Sequence, residues 1–300
     1  MGSVINYSFI IPHKNSPQYL NRCLNSIPRR DDIQIIVVDD NSDSTIIDWN
    51  AFSFEDCRNI ELVLTKEGRG AGYARNVGLA RARGKWLLFP DADDYYEDGF
   101  LKVLDKYIES DLDVLYFNFT HRDEEGNKLC TKLNKYVSDC TRGEKDVDYV
   151  KYKINVPWNK MVRRAFVEQY MCTYEEIPKA NDMFFTFQVG YFAKKVDVID
   201  IYLYNYIVYR SSQTNINWNE SKIQCFLENF YKNRGFFEFI KHPEWVHGNL
   251  YIIWQILKFK SFCRGVRVIK YWFLNYKSIS KSKSKYADIF KVRTQIMGTR

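Results

Sequence analysis

Short runs of apolar and β-branched residues alternate with helical patterns along the first part of the chain. Each run is six to eight residues long and ends near a proline or a polar residue, which is typical of a buried strand. Between the first two runs, Leu20, Leu24 and Ile27 recur at helical spacing. The five predicted strands are YSFIIP (7–12), IQIIVVDD (33–40), IELVLT (60–65), KWLLFPD (85–91) and LDVLYFNF (112–119).

Alternating strands and helices predict βαβ units, and therefore an α/β fold with a mostly parallel sheet flanked by helices. In such sheets, ligands bind in the crevice beyond the carboxyl ends of the strands. The pattern becomes less regular after about Pro157 and turns helical from about Glu220. Polar residues that directly follow the predicted strands are therefore the first candidates for function.

The charge of the chain is concentrated at its carboxyl end. The 300 residues carry a formal net charge of +7, but twelve Lys and Arg residues stand against one acidic residue between Lys258 and Arg300. The preceding part is mildly acidic. A basic tail with aromatic residues fits either nucleic acid or an anionic membrane surface. Because the rest of the chain is acidic, we expect no nucleic acid partner and favour a membrane surface bound through 249–300.

The sequence also bounds the cellular setting. The seven cysteines are scattered without CxxC spacing, which favours reduced thiols over a disulfide framework or a zinc site. The first residues lack a signal-peptide pattern, and no stretch of about 18 apolar residues occurs. We therefore expect a cytoplasmic protein that attaches peripherally to the inner face of the cell membrane.

Carboxylates follow two of the predicted strands. Asp39 and Asp40 end the second strand, and Asp91, Asp93 and Asp94 follow the fourth. Carboxylates clustered at strand ends repel one another unless a divalent cation, hydrogen bonds or basic groups compensate them. A lone D-x-D more often caps a helix. Its position after a buried strand, with a second acidic strand end upstream, favours a cation site.

Three ordered segments, FIIPHKN, IIVVDDNSDS and GAGYARNVGLARARGKWLLFPDADD, resemble the nucleotide-binding half of inverting family-2 glycosyltransferases of the GT-A fold. The resemblance is strong over residues 5–125 and weaker to about 215. It implies a GT-A catalytic domain at 1–218, with a nucleotide-binding half (1–125) and an acceptor-side half (126–218). A helical, basic and aromatic region (219–300) follows it.

The resemblance also implies which residues bind the donor. Asp39 corresponds to the carboxylate that accepts a hydrogen bond from uracil, which favours a UDP-sugar. Asp93, together with Asp91, corresponds to the D-x-D pair that binds Mn²⁺ or Mg²⁺. The complete set of implied donor-binding residues is Pro12, Lys14, Asn15, Asp39, Arg75, Asn76 and Asp91.

Inverting transfer needs a carboxylate that takes the proton of the acceptor hydroxyl. The family places it as the second acid of an E-D pair that opens a helix, which corresponds to Asp182 here. Asn181 stands where Glu is common in the family, and a purely capping role for Asp182 is the alternative. Candidates for acceptor or diphosphate contact are Trp158, Lys160, Tyr209 and Arg210.

Together these residues predict a metal-dependent inverting glycosyltransferase of the hexosyltransferase class. The expected substrates are a nucleotide-diphosphate sugar and a hydroxyl of a glycan or lipid-linked glycan, as in polysaccharide biosynthesis. A nucleotidyltransferase on a similar α/β fold is the alternative enzyme, although IPHKNSPQYL lacks the glycine-rich loop expected of it. A nucleic-acid-binding protein that uses its basic tail is the alternative from another class.

Overall fold

The computed structural model describes residues 4–50, 52, 59–209, 219–249 and 262–298 of the chain. The chain divides into two compact units. The first contains Met1–Glu176 and Asn181–Arg210, and the second contains Ile177–Ala180 and Ser211–Arg300.

The first unit begins with the alternating strands and helices that the sequence predicts. Its first strands, β1 (Tyr7–His13) and β2 (Ile33–Asp40), are almost wholly buried, because parallel strands are covered on both faces. Pro17 stands at the first position of α1 (Pro17–Ser26), where its missing N–H and fixed φ cost nothing. The elements are β1 (Tyr7–His13), α1 (Pro17–Ser26), β2 (Ile33–Asp40), β3 (Ile60–Thr65), α2 (Ala71–Leu79) and β4 (Trp86–Leu88).

The rest of the first unit is more mixed. A 3-10 turn, Asp105–Tyr107, follows α3 (Phe100–Leu104). The remaining strands are β5 (Tyr95–Tyr96), β6 (Val114–Asp123), β7 (Lys128–Leu129), β8 (Lys160–Arg163) and β9 (Val196–Val208). The remaining helices are α3 (Phe100–Leu104), α4 (Lys132–Thr141), α5 (Asp148–Lys153), α6 (Arg164–Gln169) and α7 (Met183–Phe192).

These strands form one sheet in the order β3-β2-β1-β4-β8-β6-β9-β5, and β7 pairs with β6. The first four strands in that order are parallel, as predicted. Strand β8 then pairs antiparallel with both β4 and β6, a reversal that hydrophobic periodicity cannot reveal. Because β1 lies between β2 and β4, their carboxyl ends meet at one edge of the sheet.

The described part of the second unit is mainly helical. It contains α8 (Glu220–Phe239), a 3-10 turn (Pro243–Trp245), α9 (Phe262–Ser280), a second 3-10 turn (Lys281–Ser284) and α10 (Lys285–Gly298). Its core joins α8 to α9 through Ile223, Leu227, Tyr231, Val268, Trp272 and Ile279. Burying these apolar side chains stabilises the unit at about 25 cal/mol per Å² of apolar surface.

Candidate active site

The loops after β1 and β2 form one side of the site. Asp39, which is buried, accepts hydrogen bonds from His13 Nδ1 (2.9 Å) and the backbone N–H of Ser42 (2.9 Å). Burial alone would raise the pKa of Asp39, but these hydrogen bonds and that of the Ser42 hydroxyl outweigh it and lower the pKa. Asp39 is therefore held as an ionised acceptor at the end of β2.

The neighbouring carboxylate, Asp40, connects this loop to α2. One of its oxygens accepts from the backbone N–H of Gly70 at 2.9 Å and lies 3.4 Å from Lys14 Nζ. Gly70 adopts a φ of +93°, which a residue with a side chain would rarely adopt. The predicted donor-binding residues Pro12, Lys14 and Asn15 all lie at this edge, and the Lys14 side chain is 45% exposed.

Three aspartates after β4 converge in space. One side-chain oxygen from each of Asp91, Asp93 and Asp94 lies within 4.8 Å of the others. Asp94 is fully buried and accepts from Tyr204 Oη (2.9 Å) and from the backbone N–H of Ile207 (2.8 Å). Asp94 therefore fixes the loop to β9, while Asp91 and Asp93 are only half-buried.

The electrostatics of this acidic cluster fit a hard divalent cation. Burial, and then the charge of Asp91, raise the pKa of Asp93 to about 6. Converging carboxylate oxygens are the ligands that Mg²⁺ and Mn²⁺ prefer. Among the residues that the structure describes, this is the one cluster of three acidic, His or Cys side chains close enough for an ion. Asp91 and Asp93 would hold the cation.

Arg22 and Tyr209 support the backbone of the cluster. The Arg22 guanidinium donates to the carbonyl oxygen of Asp93 and, at 2.7 Å, to Tyr209 Oη. Tyr209 in turn donates to the same carbonyl at 3.0 Å. The predicted candidate Tyr209 thus lies beside the D-x-D segment, whereas the predicted Arg210 lies outside the described residues.

Arg75 joins the acidic cluster to the segment that carries Asp182. Its buried guanidinium donates to one oxygen of Asp91 and to Asn181 Oδ1 at 3.0 Å. Asn76 fixes the same segment, because its side chain donates to the carbonyl of Tyr174 (3.1 Å) and accepts from its N–H (2.9 Å). Helix α2 thereby connects the two halves of the site.

Glycine allows this close approach of α2. A Cβ at Gly72 would lie 2.1 Å from the carbonyl oxygen of Glu175, which no real contact tolerates. Any larger residue would therefore push the segment that leads to Asp182 away from Arg75.

Asp182 occupies the N-cap position of α7, but its side chain makes no capping hydrogen bond to that described helix. The alternative of a purely capping role therefore lacks its hydrogen bond. Burial raises the pKa of Asp182, Arg75 lowers it and Asp91 raises it, so the pKa lies above its ordinary value. A half-buried carboxylate of raised pKa is suited to accept a proton.

The two remaining candidates from the sequence lie in the interior. Trp158 is 2% exposed and stacks on Tyr204 and Tyr206, with ring centroids 4.9 and 5.3 Å away. The ammonium of Lys160 is buried and donates to the carbonyl oxygen of Val156. Burial lowers the pKa of Lys160 to about 7, against the opposing effect of Asp182. Lys160 is thus within electrostatic reach of Asp182.

Sequence reasoning missed three residues of this site: His13, Arg22 and Tyr204. It named Asp94 among the clustered carboxylates, but not as the buried group that anchors the loop to β9. Arg22 and Tyr204 have no local signal, because their partners are 71 and 110 positions away in the chain.

Comparison with known proteins agrees with this geometry. The sequence model of glycosyl transferase family 2 matches residues 8–171, which is more than half of the chain. The chain belongs to this family. The matched region contains the strand-end carboxylates, α2 and the acidic cluster, and it ends before Asp182.

Family-2 relatives match over part of their length. The chain is 26% identical over 215 residues to EpsH of Bacillus subtilis (strain 168), covering 68% of this chain and 61% of EpsH. It is 28% identical over 223 residues to the poly(ribitol-phosphate) beta-glucosyltransferase of Bacillus spizizenii, covering 69% of this chain and 33% of that protein. The chain therefore corresponds to only a part of these relatives.

Solved structures show the same fold. Residues 1–349 of Staphylococcus aureus TarS, crystallised with UDP-GlcNAc, align with a TM-score of 0.61 at 21% identity. The alignment covers 93% of this chain and 75% of that one. The likeness confirms the predicted GT-A fold with a helical carboxyl-terminal region.

Proposed function

We propose that this family-2 protein is an inverting glycosyltransferase that moves a sugar from a UDP-sugar to a hydroxyl of a glycan or lipid-linked glycan. The observation that carries the proposal is the Arg75 bridge, which links Asp91 of the acidic cluster to Asn181, the neighbour of Asp182. It brings a carboxylate of raised pKa, the proposed base, into one site with the acidic cluster that would hold a cation.

Different residues of the chain have different roles in a direct displacement. Asp182 takes the proton of the acceptor hydroxyl as that oxygen attacks the anomeric carbon. Its raised pKa makes it a stronger base than an exposed aspartate. Arg75 holds Asn181, the neighbour of Asp182, in a fixed position relative to Asp91. The acceptor hydroxyl at Asp182 and the donor at the acidic cluster therefore stay aligned.

The acidic cluster would serve the departing diphosphate. Asp91 and Asp93 would hold Mg²⁺ or Mn²⁺, which supplies neutralisation of the negative charge on the leaving group. Lys14, exposed beside Asp40, is available to contact the same phosphates.

Asp39 supports a uridine donor, since an ionised carboxylate accepts a hydrogen bond from the N3–H of uracil. TarS, of the same fold, was crystallised with UDP-GlcNAc and with UDP, which makes UDP-GlcNAc the first donor to test. Names of relatives that include poly(ribitol-phosphate) support a polymer hydroxyl as acceptor.

We expect the purified protein to release UDP from one or a few UDP-sugars when Mn²⁺ is present, and to lose this activity in EDTA. UDP release is measured across a panel of UDP-sugars, with pyrophosphate release measured in parallel. Pyrophosphate instead of UDP would indicate a nucleotidyltransferase, and activity that persists in EDTA would remove the cation from the mechanism.

We also propose that α9 attaches the protein to an anionic membrane surface. Its inner side, with Val268 and Trp272, is buried in the core of the second unit. On the other side Phe273 and Leu274 are 72% and 74% exposed, next to exposed cations. The exposed cations on this face are Arg267, Lys270 and Lys277.

This combination fits the headgroup region of a bilayer. None of the helices among the described residues is long and apolar enough to cross one. Exposed aromatic and aliphatic side chains beside cations are suited to lie at the interface. Each cation near an anionic surface contributes about 1 kcal/mol, so the charge selects anionic lipid.

The double variant Phe273→Ser/Leu274→Ser is expected to lose about tenfold or more in affinity for vesicles rich in phosphatidylglycerol, because two apolar anchors are removed. Co-sedimentation at low and high salt measures this, with phosphatidylcholine vesicles for comparison. Leu64→Ser, which removes an exposed leucine from β3, is the matched control. Binding that ignores lipid charge, or that the double variant retains, would contradict the membrane proposal without affecting the transferase proposal.

A further inference from the structure

Polar contacts that the proposed transfer does not require join the ends of β1 and β2. His13 and Asp39 face each other in the parallel register of the two strands. The His13 side chain is completely buried, and the Trp49 ring packs against it in a T-shaped arrangement with centroids 5.3 Å apart. A buried imidazole at this place needs partners for both of its nitrogens.

The hydrogen-bond partners of His13 determine which tautomer its ring adopts. The backbone N–H of Ser16 lies 3.1 Å from Nε2, and an N–H can only donate, so Nε2 is an acceptor without a proton. The proton of the neutral ring is therefore on Nδ1, which donates to Asp39 at 2.9 Å. The surroundings of His13 thus select one tautomer and direct its N–H at Asp39.

Ser42 also acts as a hydrogen-bond donor to Asp39. Its hydroxyl oxygen accepts from the backbone N–H of Asn15 at 2.8 Å, so its own proton is directed to Asp39. Its backbone N–H donates to the other Asp39 oxygen at 2.9 Å. In each of these hydrogen bonds, His13 or Ser42 is the donor and Asp39 is the acceptor. Asp39 is consequently fixed as a group that can only accept.

An acceptor-only group in this position discriminates between pyrimidines. Asp39 lies at the end of β2 and Asp91 follows β4. Because β2 and β4 flank β1, the two strand ends are about 10 Å apart. A nucleoside diphosphate held at the acidic cluster can extend its base across that distance. Uracil presents an N–H at N3, whereas cytosine presents a lone pair there, which a carboxylate repels.

We propose that His13 is a positioning residue that holds Asp39 in place as an ionised acceptor and thereby makes the base pocket select uracil over cytosine. The inference rests on the proposed function, since it assumes that the donor carries a nucleotide base at Asp39. His13 itself touches neither the sugar nor the reacting atoms.

Two substitutions separate the roles of the ring. His13→Phe keeps the ring's bulk and its contact with Trp49 but removes both nitrogens. His13→Asn places an amide nitrogen near the position of Nδ1, so it can still donate to Asp39. His121→Phe is the matched control, because His121 is another buried histidine. It lies in β6, away from Asp39, and is hydrogen-bonded to Thr131.

Titration calorimetry with UDP and CDP, in the presence of Mn²⁺, tests the proposal. The unmodified protein is expected to bind UDP about 100-fold or more tightly than CDP. His13→Phe is expected to lose about tenfold in UDP affinity with little change for CDP, so the ratio falls. His13→Asn and His121→Phe are expected to keep the ratio, and the kcat of His13→Phe at saturating donor is expected to stay within a few-fold.

An unchanged UDP/CDP ratio in folded His13→Phe would overturn the role of His13 and leave the transferase proposal standing. If His13→Phe does not fold, ¹⁵N spectra of histidine in the UDP complex decide. A proton on Nε2 of His13 would overturn the proposal, and a proton on Nδ1 alone would support it. Failure of the unmodified protein to bind UDP would overturn the proposed donor and this inference together.

Discussion

Asp182→Asn is expected to lower kcat about 10²–10⁴-fold, the usual contribution of a general base, with little change in UDP affinity. The amide keeps the size of the side chain but cannot take the proton of the acceptor hydroxyl. The base must be ionised, so the activity of the unmodified enzyme is expected to decrease as the pH is lowered. Because the pKa of Asp182 is raised, this decrease is expected at a pH above the ordinary aspartate range. UDP release first identifies the donor. Steady-state kinetics with that donor then measure the loss of kcat and the pH dependence of activity.

The stability of this variant distinguishes a lost base from a damaged fold. A pKa raised in the folded chain means that the ionised form destabilises the fold at neutral pH, so Asp182→Asn is expected to keep or raise Tm. Asp111→Asn, which changes an aspartate whose side chain is 79% exposed, is the matched control. A collapse of UDP affinity together with kcat would make Asp182 a donor-side or structural residue.

Asp93→Asn is expected to lower turnover about 10³-fold or more and to abolish the effect of Mn²⁺ on activity. The side chain is one of the carboxylates that would hold the cation, and charge neutralisation by a metal contributes several kcal/mol to the transition state. Kinetics across a Mn²⁺ titration test this. Full activity of Asp93→Asn at any Mn²⁺ concentration would contradict the assignment.

The same substitution is expected to stabilise the protein when no metal is added. The pKa of Asp93 is about 6 in the folded chain and 3.8 ordinarily, so the folded state loses stability as the pH rises from about 4 to 6. A pKa that is about two units higher corresponds to about 3 kcal/mol, which comes from burial of Asp93 and from repulsion by the charge of Asp91. We therefore expect Asp93→Asn to gain about 1–3 kcal/mol at pH 7 and almost nothing below pH 4.

Denaturant unfolding at several pH values in EDTA measures this gain. Mn²⁺ with UDP is expected to raise the Tm of the unmodified protein but not that of Asp93→Asn, since a ligand stabilises only a state that binds it. Asp98→Asn, an exposed aspartate five positions later, is the control and is expected to change neither property. Equal stability of Asp93→Asn and the unmodified protein at pH 7 would show that the cluster carries no repulsion.

The pattern of apolar runs was enough to predict the parallel part of the sheet. The segments 33–40 and 60–65 coincide with β2 and β3. Strand β2 is buried along its whole length and is therefore mostly apolar, whereas β3 lies at the edge of the sheet and is only partly buried. The placement of β8 between β4 and β6 could not be predicted from the sequence pattern, since periodicity gives the spacing of buried residues and not the direction of the partner strand.

The assigned roles of the individual donor-binding residues remain predictions, but the structure adds how they are held. Asp39, Asp91 and Asp93 were found because they stand at or just after the ends of strands and match the family's motifs. The Arg75 bridge to Asn181 spans 106 positions, and no local pattern records such a contact. Trp158 could equally have faced solvent or the interior by sequence, and only packing on Tyr204 and Tyr206 decides for the interior.

The sequence by itself therefore determined the family, the parallel strands and the chemical types gathered at their ends, since these depend on local periodicity and on motifs along the chain. Only the tertiary structure decided the tautomer of His13, the raised pKa of Asp93 and the hydrogen bond between Arg75 and Asn181. Each of these depends on the distance and burial of groups far apart in sequence, because desolvation and hydrogen bonding act through space.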